Sequence, residues 1–283
     1  MEARDVATRM TEISFEQQVL PSRAVIRVTG EGAVAFLHNL LTCDVEGLQV
    51  GEAAYGALLS PQGKILHDVF VMATRDGALL DCAADQAEKL LKKLALYRLR
   101  AKLTITLGET LEVAAASGKL PDGFIDPRLS SMGWRAFRPK GLTPSGAGYF
   151  EMRLRLGLAD SSDIGSNQLF PHEANFDQIN GVSFTKGCYV GQEVVSRMQH
   201  RGTARSRILP VKSAGALASG APIQSGDTVV GEMLSVVGSG ALALLRLDRL
   251  ADAKAPLLSG LVRVHVAKPE WVKYDVIIPE AAQ

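Results

Sequence analysis

The chain of 283 residues carries the octapeptide KGCYVGQE at residues 186–193. It combines a thiol, an ammonium, a phenol, a carboxamide and a carboxylate with two glycines, and a hydrophobic core does not require that mixture. Glycine allows backbone conformations that are closed to other residues and lets another group approach the chain closely. The next residues, Glu193 to Met198, have the spacing of a helix with three apolar side chains available for one face. Cys188 is therefore predicted to lie in a tight loop near the N-terminus of a helix.

Two features of this loop favour the thiolate form of Cys188. A helix N-terminus carries partial positive charge, and the ammonium of Lys186 adds a full positive charge nearby. The thiol would then be a nucleophile or a soft metal ligand within reach of solvent. The alternative is a small, buried and inert cysteine on a glycine-flanked turn, as free cysteines often are.

The octapeptide, followed by Arg197 and Gly202, resembles the signature of the YgfZ-type folate-binding proteins. These are relatives of the T-protein (GcvT) of the glycine cleavage system, and the family includes the mitochondrial iron–sulfur assembly factor of the same type. The resemblance extends to GEGAVAFLHNLLTCD at residues 30–44, AAYGALLSPQGKILHD at residues 53–68 and PHEAN at residues 171–175. It is weak over residues 117–148 and over the C-terminal third.

The resemblance implies an α+β fold with the three-lobed T-protein-like architecture, in which two α+β lobes precede a C-terminal β-barrel. The order of apolar runs and turn signals predicts a ferredoxin-like layer over about residues 53–116. Short apolar runs separated by Gly, Ser and Asp in the last 80 residues or so predict a small barrel. The predicted regions are an N-terminal α+β region (1–116), a connection with the signature-bearing α+β region (117–203) and the barrel (204–283).

Composition excludes several classes of protein. Hydrophobic residues make up 47% of the chain and charged residues 22%, as in ordinary soluble proteins. The net charge of +1 argues against strong direct binding to nucleic acid. No apolar run reaches the roughly 18 to 20 residues that a membrane helix needs. The N-terminal residues include several acids and no apolar stretch of the signal-peptide type, which predicts a cytoplasmic protein.

The three cysteines, Cys43, Cys82 and Cys188, are odd in number and far apart in sequence, which suits a reducing compartment. A cluster held by four thiolates needs one more cysteine than the chain has. We therefore expect no resident metal, and Cys188 is a candidate for a transient cluster ligand or for half of a site shared by two chains. Cys43 and Cys82 end apolar segments and are predicted to be buried.

The resemblance also implies roles for individual residues. Cys188 would be the chemically active group, with Lys186 supporting its thiolate. The residues implied to bind folate or to line the site are Asp68, Tyr189, Gln192, Glu193, Arg197, Glu173, Asn175 and Arg155. Asp68 matches an aspartate that the T-protein places near the folate. The basic residues after the octapeptide would form a positive rim for the glutamate tail of folate, and the alternative is solvated charge beside the barrel.

Arg155 marks a departure from the T-protein pattern. The T-protein reads roughly R-L-E-A-G where its carboxylate accepts hydrogen bonds from the amino-pyrimidine edge of the pterin. Here residues 153–157 read RLRLG, so that Arg155 falls where the acid would be. A guanidinium has no acceptor to offer. Binding of the pterin in the T-protein pose is therefore in doubt, whereas binding of the tail through arginines would survive.

The implied function is that of a folate-binding accessory protein for iron–sulfur cluster assembly or repair, serving enzymes that modify tRNA or belong to central metabolism. Its implied ligand is tetrahydrofolate or a polyglutamylated derivative, and its implied partners are iron–sulfur client or assembly proteins. A non-catalytic or redox accessory role is favoured over an enzymatic one. Two alternatives remain: a tetrahydrofolate-dependent aminomethyltransferase, which the octapeptide and Arg155 disfavour, and a binding module linked to tRNA modification.

Overall fold

A computed structural model describes residues 14–143, 146–202 and 204–282 of the chain. The first 13 residues of the predicted N-terminal region lie outside this part. Within it the chain forms two antiparallel sheets and a closed barrel. The predicted α+β architecture with a C-terminal β-barrel is confirmed.

The described strands are β1 (Gln18–Val19), β2 (Arg23–Thr29), β3 (Ala53–Leu59), β4 (Ile65–Thr74), β5 (Gly77–Ala83), β6 (Thr104–Leu107), β7 (Leu111–Ala116), β8 (Phe124–Ile125), β9 (Trp134–Pro139), β10 (Ser206–Ser213), β11 (Pro222–Ser225), β12 (Thr228–Val237), β13 (Gly240–Arg246), β14 (Leu257–Ser259) and β15 (Val262–Val266). The described α-helices are α1 (Ala33–Leu40), α2 (Ala87–Arg98), α3 (Gly148–Leu156), α4 (Ser161–Ile164), α5 (Gln192–Arg201) and α6 (Leu247–Ala251). Short 3₁₀ turns occupy Ala84–Gln86, Ser130–Met132 and Glu280–Ala282.

The first sheet has the strand order β3-β4-β5-β2-β6, and each strand is antiparallel to its neighbours. Without β3 the chain order is strand, helix, two strands, helix and strand, which is the ferredoxin-like arrangement. The predicted position of this layer needs correction, because it begins with β2 and ends at β6. The strand at residues 111–116 pairs with β9 in the second sheet instead. Local patterns of apolar residues do not encode such a non-local pairing.

Both faces of the first sheet are buried, because successive side chains on a strand point to opposite faces. Ile26, Val69 and Leu80 pack with α1 and α2 in one hydrophobic core. Phe70 points the other way, into the core that the first sheet shares with the second lobe. Alternation places Arg23, Asp68 and Asp81 on this second face, which lies inside the molecule. These strands have the sequence pattern of ordinary buried strands, yet they carry charged side chains into the interior of the molecule.

The second sheet has the order β1-β7-β9-β8, and α3 and α4 follow it in the chain. The barrel closes in the order β10-β13-β12-β11-β14-β15, because β10 pairs with both β13 and β15. Its interior holds a separate core that includes Leu209, Met233 and Leu245. The indole of Trp271 donates a 2.8 Å hydrogen bond to the carbonyl of Leu156 and so joins the barrel to α3. In the described ranges, no helix has the length and apolar character to cross a membrane.

Candidate functional site

The octapeptide forms a loop that leads directly into α5. The helix begins at Gln192, and Gly191 precedes it with φ of 80°. A side chain at Gly191 would place its Cβ 2.7 Å from the carbonyl oxygen of Ser60 in the β3–β4 turn. Gly63 in the same turn lies against Val194 of α5, where a Cβ would approach to 2.8 Å. The predicted loop before a helix is confirmed, and its second glycine is required by close packing on the β3–β4 turn.

The three cysteines differ in their access to solvent. Cys188 is exposed, whereas Cys43 and Cys82 are buried, as predicted. Burial raises the pKa of each buried thiol to about 12. At neutral pH the thiolate is therefore strongly disfavoured at these two positions, and a reagent meets only the thiol at Cys188 without entering the core.

The ammonium of Lys186 reaches back to the C-terminal end of α1. Its Nζ donates hydrogen bonds to the carbonyl oxygens of His38 and Leu41, the second at 2.6 Å. It also lies 5.0 Å from the centroid of the Tyr189 ring. A cation at this end of a helix offsets the negative end of the helix dipole, and burial lowers the pKa of Lys186. Lys186 thus fastens the octapeptide to α1, and its predicted support of the Cys188 thiolate stays a prediction.

The other predicted residues of the octapeptide region are divided between the core and the surface. Tyr189 is buried, and burial raises its pKa to about 12. Gln192 is half-buried as the first residue of α5. Glu193 and Arg197 form an exposed ion pair of 2.6 Å on that helix. Exposed pairs one helical turn apart contribute only about 0.3–0.5 kcal/mol, so both side chains remain available to a partner.

Glu173 and Asn175 hold the segment before the octapeptide against the rest of the molecule. The Asn175 amide donates to the carbonyl of Ile208 at 2.6 Å and accepts from the hydroxyl of Tyr274 at 2.9 Å. The carboxylate of Glu173 accepts from the backbone N–H of Phe170 at 2.9 Å. These contacts are structural, and the ligand role predicted for both residues stays a prediction.

Two arginines from the predicted group have different surroundings. Arg155 is half-buried near the end of α3. Arg207, which belongs to the basic residues after the octapeptide, is buried and pairs with Asp177 at 2.5 Å. Its charge is already balanced, so Arg207 is a poor candidate for an open positive rim.

Asp68 lies in a different place, between the two sheets. It belongs to a buried group of four arginines and five aspartates, which we call the central ionic network. Its members are Arg23, Arg128, Arg135, Arg153, Asp68, Asp81, Asp126, Asp160 and Asp163. Sequence reasoning missed all of these except Asp68. The sequence signal that could have indicated the network was Asp81, a lone acid in the apolar strand GALLDCA.

Asp81 joins two arginines of the network. Its Oδ1 accepts from Nε of Arg23 at 2.5 Å, and its Oδ2 accepts from Nε of Arg135 at 3.1 Å. The Arg135 guanidinium also lies 3.9 Å from the centroid of the Phe70 ring. Asp81 therefore ties β2 and β5 of the first sheet to β9 of the second. Ion pairs buried in this way tolerate the loss of neither partner.

A cavity of about 760 Å³ opens beside the network. Its walls come from β1 and the turn after it, the start of β4, and the N-terminal ends of α3 and α4. Arg23, Asp68 and Asp160 line it together with Tyr149 and Phe150. Of the predicted site residues, Asp68 is in this wall, whereas the described lining includes no residue of the octapeptide. The structure thus divides the predicted site into an exposed thiol loop and a separate polar cavity.

Two carboxylates of the cavity have pKa values that are shifted in opposite directions. Asp68 accepts from the Tyr55 hydroxyl at 3.2 Å and from the Ser161 hydroxyl at 2.5 Å. Burial raises the pKa of Asp68, and Arg23 at 3.7 Å only partly opposes this. Burial would also raise the pKa of Asp160, but Arg23 and Arg153 outweigh it and hold that pKa well below its usual range. Asp160 is therefore ionised at neutral pH.

Comparison with known proteins supports the architecture. Residues 9–110 match the family model of the GCVT N-terminal domain, and residues 205–274 match that of the CAF17 C-terminal beta-barrel domain. The crystal structure of glycine cleavage system aminomethyltransferase T from Bartonella henselae superposes with a TM-score of 0.73 over 92% of this chain and 87% of that chain. At 17% identity this likeness concerns the fold alone. The predicted T-protein-like fold is confirmed.

Relatives in sequence identify the family more specifically than the structural comparison does. The mitochondrial iron–sulfur cluster assembly factor IBA57 of Mus musculus is 32% identical over 303 residues, which cover 89% of this chain and 84% of that protein. Its counterpart in Homo sapiens is 30% identical over 301 residues, with the same two shares. The names of these relatives contradict the predicted cytoplasmic location and point to mitochondria instead. The acidic N-terminal residues were therefore a misleading guide to the compartment. With this identity along most of both chains, the protein belongs to the family of the IBA57 iron–sulfur cluster assembly factors.

Proposed function

We propose that this protein assembles or repairs iron–sulfur clusters and that Cys188 is the group that reacts. One observation carries the proposal: Cys188 is exposed on a glycine-flanked loop, while burial raises the pKa of Cys43 and Cys82 to about 12. The Cys188 thiol would lose its proton to solvent, and its thiolate would displace one thiolate ligand of a partner protein from an iron of the cluster that the partner carries. The cluster is then a substrate in transit, because one accessible thiol per chain cannot hold it alone.

The surface around Cys188 suits a protein partner. Phe184 exposes 41% of its surface four residues before the thiol, and Gly187 beside it has open space. An exposed aromatic side chain next to an open stretch of loop provides apolar contact area for docking. The exposed pair Glu193–Arg197 lies on the following helix and provides polar contacts at the edge.

The test of the thiol combines labelling with function. Limited alkylation at neutral pH, read by mass spectrometry, should modify Cys188 before Cys43 and Cys82. Cells that lack the protein should lose activity of several iron–sulfur enzymes and retain glycine cleavage. Cys188→Ser should fail to restore those enzymes, whereas Cys82→Ser, a matched change at a buried thiol, should restore them. Equal labelling of the three thiols, or full rescue by Cys188→Ser, would contradict the proposal.

We further propose that tetrahydrofolate or a polyglutamylated form binds in the cavity beside Asp68. The fold family binds folate in general, and three features of the cavity fit this ligand. Its volume of about 760 Å³ lies in the usual range for small-molecule sites. Tyr149 and Phe150 offer ring surfaces for a pterin. Arg23, Asp68 and Asp160 offer charged and polar partners for its edge. When bound, the folate would supply one-carbon or redox chemistry, and these residues would hold and orient it.

Folate binding is tested by anaerobic isothermal titration with mono- and polyglutamylated tetrahydrofolate. If the exposed arginines after the octapeptide attract the tail, affinity should rise with the number of glutamates. It should also fall with added salt, which screens exposed charges beyond about 10 Å at 0.1 M. Affinities that depend on neither would exclude the tail-binding model while leaving binding of the ring in place.

The finer family branch and the clients are also part of this proposal. The octapeptide and Arg155 support a YgfZ-type accessory protein over an aminomethyltransferase, and clients that modify tRNA are candidates. An assay of iron–sulfur enzymes beside a reconstituted glycine cleavage assay separates the two. Loss of iron–sulfur enzymes without loss of glycine cleavage is the expected result.

A further inference from the structure

Asp160 differs from the other aspartates of the central ionic network in its access to the cavity. Its side chain is 14% exposed, compared with 4% for Asp68 and 0% for Asp81 and Asp163. It lies in the cavity wall, at the end of the segment that joins α3 to α4. It is therefore the network carboxylate that a molecule in the cavity meets most directly.

The orientation of the Asp160 carboxylate is set by its Oδ1 atom. This oxygen accepts from the backbone N–H of Ser161 at 2.7 Å and from Nη1 of Arg23 at 3.0 Å. The backbone N–H of Asp160 in turn donates to the carboxylate of Asp163 at 2.9 Å, which completes a capping box. The carboxylate is thus held rigidly before any ligand arrives, and little entropy is lost when it binds.

The second oxygen of Asp160 is placed differently. Its Oδ2 lies 3.9 Å from Nε of Arg153, which is too far for a hydrogen bond. An ionised carboxylate accepts up to about four hydrogen bonds, so this oxygen retains acceptor capacity. Asp68 has less acceptor capacity left for a ligand. Its Oδ2 already accepts a hydrogen bond from the Tyr55 hydroxyl, and its Oδ1 accepts one from the Ser161 hydroxyl.

The pyrimidine edge of a folate carries N–H donors at its 2-amino group and at N3, and it needs an acceptor when it leaves water. A buried donor without a partner loses binding free energy. We infer that Asp160 is the residue of this chain that recognises the folate ring, by accepting a hydrogen bond from its amino-pyrimidine edge through Oδ2. This inference rests on the proposed binding of folate in the cavity.

The experiment measures binding rather than activity. Isothermal titration compares tetrahydrofolate with its 2-desamino analogue on the full chain. The wild-type protein should bind tetrahydrofolate about ten- to a hundredfold more tightly, as expected for one hydrogen bond to a charged group. Asp160→Asn should lose this preference and bind both ligands alike. Asn caps a helix as well as Asp does, so α4 should persist.

Asp85→Asn is the matched control. Asp85 lines the same cavity and is exposed, and the change removes the same charge without touching the proposed contact. Its preference for tetrahydrofolate should equal that of the wild type. If Asp160→Asn fails to fold, Asp160→Ser, which also caps a helix, replaces it. The comparison of the two ligands on the wild-type protein needs no variant.

The outcomes separate this inference from the function on which it rests. No binding of tetrahydrofolate by the wild type would overturn the folate proposal and this inference together. Binding without preference between the two ligands would overturn the role of Asp160 alone. A preference that survives in Asp160→Asn, or that disappears equally in Asp85→Asn, would do the same.

Discussion

Replacement of Asp81 by alanine is predicted to cost about 3–5 kcal/mol of unfolding free energy. Asp81 has no exposed surface and accepts hydrogen bonds from the guanidinium groups of Arg23 and Arg135. Without it, two buried cations lose their shared counter-charge, and the removal of one partner of a buried pair has a cost of this order. The alanine variant also opens a small cavity. The loss should be seen in urea unfolding curves of the full chain, followed by far-UV circular dichroism.

One further variant tests the charge of Asp81, and another serves as a control on the surface. Asp81→Asn keeps the size of the side chain but turns one acceptor into a donor that faces arginine donors, so it should destabilise by a similar amount. Glu88→Ala removes one member of an exposed pair with Lys92 at 4.0 Å and should cost less than about 0.5 kcal/mol. If Asp81→Asn unfolds at the wild-type urea concentration, the charge of Asp81 does not hold the two sheets together, and the reasoning fails.

Three other predictions concern pH, packing and chemistry. Burial lowers the pKa of His67 from 6.5 to about 4, so the unfolded state binds the proton more readily between these values and the unfolding free energy falls as pH drops through that window. His67→Asn should flatten this slope in urea unfolding at pH 7 and pH 5, and an unchanged slope would contradict it. Gly191→Ala should destabilise the protein by about 1–3 kcal/mol, because of its positive φ and its contact with the β3–β4 turn. Gly187→Ala, where a Cβ meets nothing within 4 Å, should leave the melting temperature unchanged, and equal effects would refute the packing argument. A reconstituted glycine cleavage assay should show no aminomethyl transfer by the wild type, and robust transfer would overturn the family branch.

Much of the local structure was predictable from the sequence. The order of apolar runs and turn signals predicted a ferredoxin-like layer and a small barrel, and the structure contains both. The glycines and the apolar spacing after them placed Cys188 in a loop before α5. These features depend on neighbours in sequence, so a local pattern is sufficient to predict them. The short strands β1, β8, β11 and β14 have two to four residues each, which is too few to show a clear alternation.

The arrangement of the candidate site was not predictable in the same way. Asp68 and Cys188 were assigned to one site, yet the structure places Asp68 in a cavity between the sheets and Cys188 on an outer loop. Lys186 was expected to support the thiolate of Cys188, which stays a prediction, and its ammonium contacts the end of α1. Each of these arrangements depends on contacts between residues that are distant in the chain.

By itself, the sequence determined the family resemblance, the fold class that the resemblance implies, the barrel and the loop that carries Cys188, because each depends on residue types and their spacing. Only the tertiary structure decided that the charges of β2, β5 and β9 meet in the interior and that β7 leaves the first sheet for the second. The physical reason is that a strand's pattern states which face each side chain occupies, but not which distant element covers that face. The sequence pattern of a strand therefore does not distinguish a solvated arginine from one that pairs with an aspartate from a distant part of the chain.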